Sequence, residues 1–487
     1  MFFGSPTLRA TRRSALSVSL AAGLGLCVAA TAGTVHESTS AGPVFGASSP
    51  TPTIRPVPSA AQHSQSSSQG PRPTTPHTVD TCADDDSPGS LRAIIASPNT
   101  VSDDTIDLSQ LTCSTITLDS STHTPAYIAI NQARLHLLGP GRGVLTISGG
   151  GYSGVFRHFG GNLLEIDSMT IANGGYSSDT KPFGGCIYST GSVVIKNSDV
   201  ERCVAFGTGA TGAHGAGVYA RNDLTLDHSS VTSSAAYDLG AVPADGGGVH
   251  VGGNLQATYA TISNNYASGQ GGGANVKGAV TTILSSTISS NVANFEGGLF
   301  FSDPVGTTGI TDSTISGNEA IVMSGALYTL GSLKLTNSTV VLNHDHDAGS
   351  YAGISVTGAS LVLNSSIIAG NGGQLGPADL WAKPTTTVTA ADNLVVAASG
   401  VSLPANTIHD CPQLDPLADN GGFTLTQAIK PTSPAIDTGS NPIPLAFDQT
   451  GYVRTEGVET DIGAFEWRTG TGQERVFVGG FDGLCDQ

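Results

Sequence analysis

Charged residues are scarce in this chain of 487 residues: they make up 12% of it, and 38 Asp and Glu outnumber 20 Lys and Arg. A formal net charge of −18 does not fit the basic footprint of a nucleic-acid-binding protein, so we expect no nucleic-acid partner. After residue 32 there is no long apolar run, and we therefore expect no transmembrane span. No two cysteines have C-x-x-C spacing, which argues against a structural zinc site.

Glycine is abundant, with 64 residues, and it punctuates a motif that occurs eight times. Each copy has two apolar positions one residue apart, a Ser/Thr turn, a β-branched residue and, after a Gly pair, a third apolar run. The β-branched members recur at intervals of 25 to 31 residues: Ile171, Val200, Val231, Ile262, Ile288, Ile315, Val340 and Ile368. Short β-prone runs repeated at this interval predict an all-β fold, a right-handed parallel β-helix with three-strand coils and about eight to eleven rungs.

Small polar residues also recur at fixed positions of the motif. Three residues after the β-branched member stand Cys203, Ser234, Asn265, Asn291, Asn318, Asn343 and Asn371. Stacked Asn side chains can hydrogen-bond to one another along such a ladder. We interpret these columns as scaffold rather than as a site.

Composition divides the chain into five parts. Residues 1–32 place Arg9, Arg12 and Arg13 before an apolar stretch and resemble a cleavable signal peptide. Residues 33–77 are rich in Ser, Thr and Pro and predict a disordered linker. The β-helix is predicted at 78–400, with a short amphipathic helix from Ser90 to Ile95 as its N-terminal cap, followed by a C-terminal cap at 401–467 and a tail at 468–487. We expect an exported monomer, extracellular or at the cell surface.

Six cysteines remain once the signal peptide with Cys27 is removed, and an even number in an exported chain suggests disulfides. Fifteen pairings are possible for six cysteines. We favour the pairs that are local in sequence, namely Cys82 with Cys113, Cys186 with Cys203, and Cys411 with Cys485. Free thiols and a metal site remain as alternatives.

Candidate binding residues lie where the repeat is interrupted. The loops 206–216 and 237–247 are the longest before a Gly pair. They contain or precede six residues with aromatic, acidic or hydrogen-bonding side chains suited to a carbohydrate groove: His214, Arg221, Tyr237, Asp238, Asp245 and His250. The alternative is that these Gly-rich insertions have no function.

A second interruption is the run from Asn343 to Asp347, in which His and Asp alternate. Asp345, His346 and Asp347 could bind a divalent cation such as calcium, and no other cofactor is predicted. A solvated turn is the alternative interpretation. A third candidate, Asp227-His228, locally resembles the Asp-His pair of pectate lyases, but it falls at a turn position of the repeat.

Larger motifs resemble a known family. Ser90-Leu91-Arg92-Ala93-Ile94, Gly139-Pro140-Gly141 and the repeats are similar to bacterial exported β-helix proteins of the pectin-lyase-like superfamily and to polymorphic outer-membrane proteins. The segments 416–426, 433–439, 448–454 and 461–466 resemble the choice-of-anchor Q domain, although Thr450 stands where that family more often has Arg. The resemblance implies an exported or surface-attached protein and assigns no catalytic residues.

Two kinds of function fit these observations. The first is a non-catalytic β-helix that binds glycan or another surface component through its lateral face. The second is a polysaccharide lyase or glycoside hydrolase that acts in a lateral groove, with calcium as a cofactor. The sequence contains no complete catalytic motif, so whether the protein is an enzyme stays open, and a passive stalk is a third alternative.

Overall fold

The computed structural model describes residues 76–209, 211–238, 242–346, 353–373 and 376–468, without the side chains of 376 and 377. The predicted signal peptide, the predicted linker up to residue 75 and the tail after residue 468 lie outside the described residues. Pro76 and His77 belong to the first strand, so the β-helix begins two residues earlier than predicted.

Each full coil crosses four sheets in the order A, B, D, C. Sheet A contains β1 (Pro76–Thr78), β2 (Asp104–Asp107), β5 (Arg134–Leu138), β8 (Leu163–Asp167), β12 (Ser192–Lys196), β16 (Leu224–Asp227), β20 (Leu255–Thr258), β24 (Val280–Leu284), β28 (Thr307–Thr311), β32 (Ser332–Thr336), β36 (Ser360–Asn364) and β41 (Thr387–Ala391). Sheet B contains β3 (Thr115–Thr117), β6 (Thr146–Ser148), β9 (Thr170–Ala172), β13 (Asp199–Glu201), β17 (Ser230–Thr232), β21 (Thr261–Ser263), β25 (Thr287–Ser289), β29 (Thr314–Ser316), β33 (Thr339–Val341), β37 (Ile367–Ala369) and β42 (Leu394–Val395).

Sheets C and D complete the coils. Sheet C contains β4 (Ile128–Ile130), β7 (Phe156–His158), β11 (Ile187–Ser189), β15 (Val218–Ala220), β19 (Val249–Val251), β23 (Ala274–Val276), β27 (Leu299–Phe301), β31 (Leu327–Thr329), β35 (Ile354–Val356), β40 (Leu380–Ala382) and β43 (Ala398–Ser399). Sheet D contains β10 (Gly175–Ser178), β14 (Val204–Gly207), β18 (Ala235–Asp238), β22 (Tyr266–Ala267), β26 (Val292–Ala293), β30 (Glu319–Ala320), β34 (His344–Asp345), β38 (Gly372–Gly373) and β39 (Gly376–Pro377).

The predicted fold class is confirmed: the protein is a parallel β-helix of about eleven turns. Among these strands, neighbours in every sheet run parallel, except β38 and β39. The difference from the prediction is sheet D, which adds a fourth strand to most coils. Its strands have only two to four residues, too few to show an alternating pattern, so the predicted three strands per coil are one too few.

The side chains that alternate inward along the strands build one continuous core. In one coil it is formed by Val193 and Ile195 of sheet A, Val200 of sheet B, Ala205 of sheet D and Val218 of sheet C, all of them fully buried. Sheet D contributes only alanine over most of its length, since the chain bends closely there. The repeated apolar positions of the sequence therefore form the core, as predicted.

The Asn column is a hydrogen-bonded ladder inside the turn between sheets B and D. The side-chain amide of Asn318 donates to the side-chain oxygen of Asn343 at 2.8 Å, and that of Asn291 donates to Asn318 at 2.9 Å. Each Asn oxygen also accepts the backbone N–H of the Asn one coil earlier, and the ladder ends on the Asp379 carboxylate, which accepts from Asn371. The predicted scaffold role is confirmed, because these buried amides satisfy one another and the turn.

One short helix, α1 (Leu91–Ala96), packs against β2 and β4 near the first coil. The Ser90 hydroxyl accepts the Ala93 N–H, and the helix buries Leu91, Ile94 and Ile95, which agrees with the predicted N-terminal cap. In the part of the chain that the structure describes, none of the helical segments could span a bilayer.

Two of the three predicted disulfides are confirmed. Cys82 pairs with Cys113, and Cys186 pairs with Cys203, with Cα–Cα distances of 6.3 and 5.4 Å. The second bond joins the start of sheet C in one coil to the turn before sheet D in the next coil. The predicted partner of Cys411, Cys485, lies outside the described residues, so that pairing stays a prediction.

Residues 401–468 differ in placement from the predicted end cap. Val401 and Leu403 do pack against the main core at the last coils, but the rest of the segment lies along the outer side of sheet B. A second buried apolar cluster forms between them, with Val341, Ile367, Ala369 and Leu394 from sheet B and Leu414, Ala428, Ile429, Ala435, Ile462 and Phe465 from the segment. The C-terminal segment is therefore mainly a lateral cover.

Buried polar contacts fix this cover over the earlier coils. The side chain of Gln449 donates to Thr287 Oγ1 at 3.0 Å and accepts from Thr314 Oγ1 at 2.7 Å. Arg454 is 1% exposed; its Nη1 lies 3.4 Å from Asp312 Oδ1, and its Nη2 donates to Asp461 O and Gly463 O. Burial raises the pKa of Asp312 well above its ordinary value, and the Arg454 charge partly offsets this.

The acidic residues of the cover accept hydrogen bonds from its own backbone. Asp437 accepts from Val458 N at 2.7 Å, and Asp448 accepts from Tyr452 N at 3.0 Å. Asp461 accepts from Asp437 N at 2.8 Å. These bonds connect the irregular turns of the cover.

Replacing Arg454 with Met should destabilise the protein, because it removes the cation beside the Asp312 carboxyl and leaves two buried carbonyl oxygens without their donor. We expect the free energy of unfolding, measured by urea denaturation, to fall by about 3–5 kcal/mol. The matched control is Arg134→Met, which breaks a partly exposed pair with Asp103 and should cost less than about 1 kcal/mol. Equal losses in the two variants would contradict the importance of the buried contact.

Candidate functional site

The outer face of sheet C carries a column of aromatic and polar side chains. The middle residue of each strand points outward, and the in-register stacking aligns Arg157, Tyr188, Tyr219, His250, Asn275, Phe300, Tyr328, Ser355 and Trp381. Successive rings lie face to face: Tyr188 and Tyr219 are 5.4 Å apart with planes at 13°, and Tyr219 and His250 are 5.3 Å apart at 6°. We call the strip formed by Tyr188, Tyr219 and His250 the platform; its stacked rings make one continuous strip of aromatic surface.

The second halves of the two predicted loops, 206–216 and 237–247, stack beside this column together with the equivalent segment of the preceding coil. We call these segments the ledge, defined as residues 179–185, 211–216 and 242–247. Parallel bridges join Phe183 to His214 and His214 to Asp245, so the loops continue the ladder. Beneath them five alanines form a small buried cluster: Ala205, Ala213, Ala216, Ala236 and Ala244. The segments of the ledge are therefore held in register with one another and packed on a small core.

Three of the six predicted binding residues meet where the ledge faces the column. The rings of His214 and His250 are 4.7 Å apart, and His214 Nδ1 lies 3.8 Å from Asp245 Oδ2. Phe183 of the ledge stacks on Tyr219 at 4.8 Å and 15°. Ledge and column therefore form one aromatic surface, with a carboxylate at its edge.

The other three predicted residues lie apart from this group. Tyr237 and Asp238 are on β18 of sheet D, where Tyr237 packs against Tyr266 at a ring distance of 5.1 Å. Arg221 follows β15 and is exposed. Burial raises the pKa of the Tyr219 phenol, and the Arg221 charge partly offsets this. Arg221 thus borders the platform, and nothing places Tyr237 or Asp238 on it.

The sequence analysis missed Glu296, which takes the place of a glycine. Counting back from the pair Ala274↔Leu299, Glu296 aligns with Gly271, one of several glycines with positive φ in this column. The signal was present in the sequence: three glycines precede Ala274, whereas only Gly297 and Gly298 precede Leu299. The Glu296 side chain is fully buried, and neither carboxyl oxygen has a hydrogen-bond partner among the described residues.

Further buried polar atoms near Glu296 lack partners as well. Within the described ranges, His214 Nδ1, His250 Nδ1 and the Asn275 side-chain oxygen form no hydrogen bond. Native proteins rarely bury such atoms without a partner. Their concentration between the ledge and the column distinguishes this region from the satisfied Asn ladder.

Burial separates the pKa values of these groups. Desolvation raises the pKa of Asp245 to about 6, and desolvation together with the Asp245 charge raises that of Glu296 to about 8. Desolvation also lowers the pKa of His214 to about 4 and that of His250 well below its ordinary value, and Lys277 adds to both effects. At neutral pH the region therefore holds one carboxylate, one carboxylic acid and two neutral imidazoles, which is an arrangement suited to acid–base chemistry.

The predicted metal ligands do not converge among the described residues. Asp345 is 3% exposed and lies in the alanine column of sheet D, paired with Ala320. His346 is exposed, and its Nε2 lies 3.7 Å from Glu319 Oε2. Asp347 lies outside the described residues. No group of three or more His, Cys, Asp or Glu side chains within the described ranges is arranged to hold a metal ion, and calcium stays a prediction.

The Asp227-His228 pair has a structural role. Lys196 pairs with Asp227 in sheet A, and His228 has φ 49°, similar to Asn197 and Tyr259 at the same turn of neighbouring coils. His228 Nδ1 lies 2.7 Å from Asp227 Oδ1, and the Phe423 ring of the C-terminal cover packs on the imidazole at 4.3 Å. The turn interpretation agrees with this placement.

Glu296→Gln should change how stability depends on pH. Because the folded-state pKa of Glu296 is about 8 and its ordinary value is 4.5, the folded protein keeps a proton that the unfolded chain releases between these values. Below pH 4.5 Glu296 is protonated in both states and does not reduce stability. Between pH 4.5 and about 8 the unfolded chain gains stability by releasing the proton, so the free energy of unfolding decreases. Gln mimics the protonated acid. Over this pH range, the free energy of unfolding of the variant should therefore fall less than that of wild type, by on the order of a few kcal/mol.

Urea denaturation of wild type and variant at several pH values measures the effect. Glu459→Gln, a change at an exposed glutamate, is the control and should leave the wild-type pH dependence unaltered. Parallel stability curves for wild type and Glu296→Gln would show that Glu296 is not protonated in the folded protein.

Comparisons with protein-family models and with curated proteins give no match. Among solved structures, the chain is similar to the crystal structure of pectate lyase Pel9A, with 16% sequence identity and a TM-score of 0.44. The similarity covers 78% of this chain and 91% of that one.

Proposed function

We propose that this protein is exported and binds a glycan along the outer face of sheet C. The observation that carries the proposal is the stacked column of Tyr188, Tyr219 and His250, with centroid distances of 5.4 and 5.3 Å. The outward parts of these stacked rings can contact the C–H groups of sugar rings, and a column that advances by one coil at a time can follow an extended chain. A glycan would lie along the column, beside the ledge.

Polar groups at the edge of the platform supply hydrogen-bond partners for sugar hydroxyls. The His214 and Asp245 side chains keep 17% and 18% of their surface exposed. Arg221 and Lys277 are exposed at the end of the strands that carry Tyr219 and Asn275. The combination of an apolar platform and a few convergent polar groups is typical of carbohydrate sites.

Export is supported by two features of different kinds. Residues 1–32 have the charged, apolar and small-residue regions of a signal peptide. The disulfides Cys82–Cys113 and Cys186–Cys203 fit an oxidising compartment. A glycan of an extracellular matrix or a cell surface is therefore the ligand class that we propose.

Tyr219→Ala tests the binding proposal, because it removes the ring that contacts Phe183, Tyr188 and His250. With a ligand found in a panel of neutral and acidic polysaccharides, we expect affinity to fall about tenfold or more, measured by calorimetry. Tyr219→Phe should keep most of it, and Tyr152→Ala, which removes a ring that is 83% exposed elsewhere, should have no effect. Absence of binding across the panel, or equal affinity of Tyr219→Ala and wild type, would refute the proposal.

A polysaccharide lyase or hydrolase is a second candidate function, and it is favoured by the separated pKa values of Asp245 and Glu296 at the end of the ledge. In this case the ionised Asp245, whose side chain is 18% exposed, would act as the base. Wild-type protein should release reducing ends or unsaturated products, and Asp245→Asn should slow release by about 100-fold or more. His228→Ala should not alter the rate. Retention of polysaccharide without products would exclude this candidate and leave the binding proposal intact.

A further inference from the structure

Arg157 lies at one end of the aromatic column and has an unusual environment. It occupies the outward position of β7, directly before Tyr188 in the register of sheet C, and is 4% exposed. Its guanidinium carbon lies 3.7 Å from the ring centre of Tyr176, 4.4 Å from that of Tyr188 and 5.4 Å from that of Tyr127. Three tyrosine rings thus surround one buried cation.

Within the described residues, no carboxylate lies close enough to form an ion pair with Arg157. The other buried or nearly buried arginines differ: Arg454 lies near Asp312, and Arg92 contacts Asp84 at 2.8 Å. Burial of an unpaired charge is costly, and cation–π contacts of the kind seen here offset on the order of 2 kcal/mol. A cation kept without a counter-ion at the end of a platform is therefore a feature that requires an explanation.

The guanidinium also retains free donors. Its Nη1 donates to Phe183 O at 3.0 Å, and among the described residues the other nitrogens donate no hydrogen bond and are not sealed from solvent. Because Phe183 belongs to the ledge, this bond fixes the guanidinium where the ledge begins. The remaining N–H groups can reach an oxyanion that enters beside Tyr188.

The charges along the face are arranged asymmetrically. Arg157 marks one end, one coil before Tyr188, whereas the Asp245 carboxylate lies near His250, two coils beyond Tyr188, with Arg221 and Lys277 exposed at the strand ends. With a net charge of −18, the protein as a whole repels polyanions. A ligand with sparse negative groups, one of which meets Arg157, fits this distribution better than a densely charged chain.

We propose that Arg157 binds a negatively charged oxyanion group of the glycan, a carboxylate or a sulfate ester, while the neighbouring sugar rings lie on Tyr188 and Tyr219. This inference rests on the proposed glycan binding and names the chemical class of the ligand. It assigns to Arg157 the recognition of charge and to the rings the recognition of sugar faces.

The test compares three oligosaccharides with one backbone: a neutral glucan oligomer, the same oligomer with one glucuronate and the same oligomer with one sulfate ester. We expect wild-type protein to bind one or both charged forms at least tenfold more tightly than the neutral form, with the preference reduced at high salt. Arg157→Gln should bring the affinity for all three to that of the neutral oligomer. Arg157→Lys should keep part of the preference, because it retains the charge without the planar fork.

The outcomes separate this inference from the proposed function. Equal wild-type affinity for the three oligomers, or an equal loss for all three in Arg157→Gln, overturns the role of Arg157 while the Tyr219→Ala result still supports glycan binding. Binding of none of the oligomers, together with no effect of Tyr219→Ala on any ligand of the panel, overturns the proposed function itself. If Arg157→Gln does not fold, as judged by circular dichroism, the wild-type preference and Arg157→Lys decide the question.

Discussion

In-register hydrogen bonding between the backbones of successive coils is the constraint on which the rest of this structure depends. It places each residue above its equivalent in the preceding coil, so every side chain becomes part of a column. A buried polar residue must then be satisfied by a copy of itself, as Asn291, Asn318 and Asn343 are. An outward ring must stack on the next ring, as Tyr188 does on Tyr219. The scaffold and the candidate site follow from the same geometry.

This constraint explains what could be predicted from sequence. Columns appear as residues that recur at a fixed interval, so the fold, the Asn ladder and two disulfides were accessible. Loops that interrupt the interval led to His214, Asp245 and His250, which do meet in space. The aromatic column was missed although Tyr188, Tyr219 and Phe300 occupy equivalent positions, because His250 and Asn275 stand between them and no single residue type occupies the position throughout.

Other features leave weaker signals. Glu296 stands where the preceding coils have a glycine. Only the register shows that those glycines all have positive φ, so the sequence alone gives little sign that the substitution matters. The Arg157 cage joins Tyr127 from the coil before Arg157 with Tyr176 and Tyr188 from the coil after it, and Tyr176 stands in register with Ala205, where later coils have alanine. The lateral cover is long-range: Gln449 bonds to Thr287 across 162 residues, and no local pattern specifies such a contact.

The C-terminal cover also has a consequence for the order of events during synthesis. A chain emerges N-terminus first, so the outer side of sheet B is complete before residues 401–468 exist. The covered strands that are synthesised first have hydroxyl side chains on this outer side, such as Thr287 and Thr314. Water can solvate these hydroxyls until the cover is made. The apolar outer residues Ile367 and Leu394 appear only shortly before the segment that buries them. The distribution of polar and apolar residues along sheet B thus limits the time for which apolar surface is exposed and can aggregate with other chains.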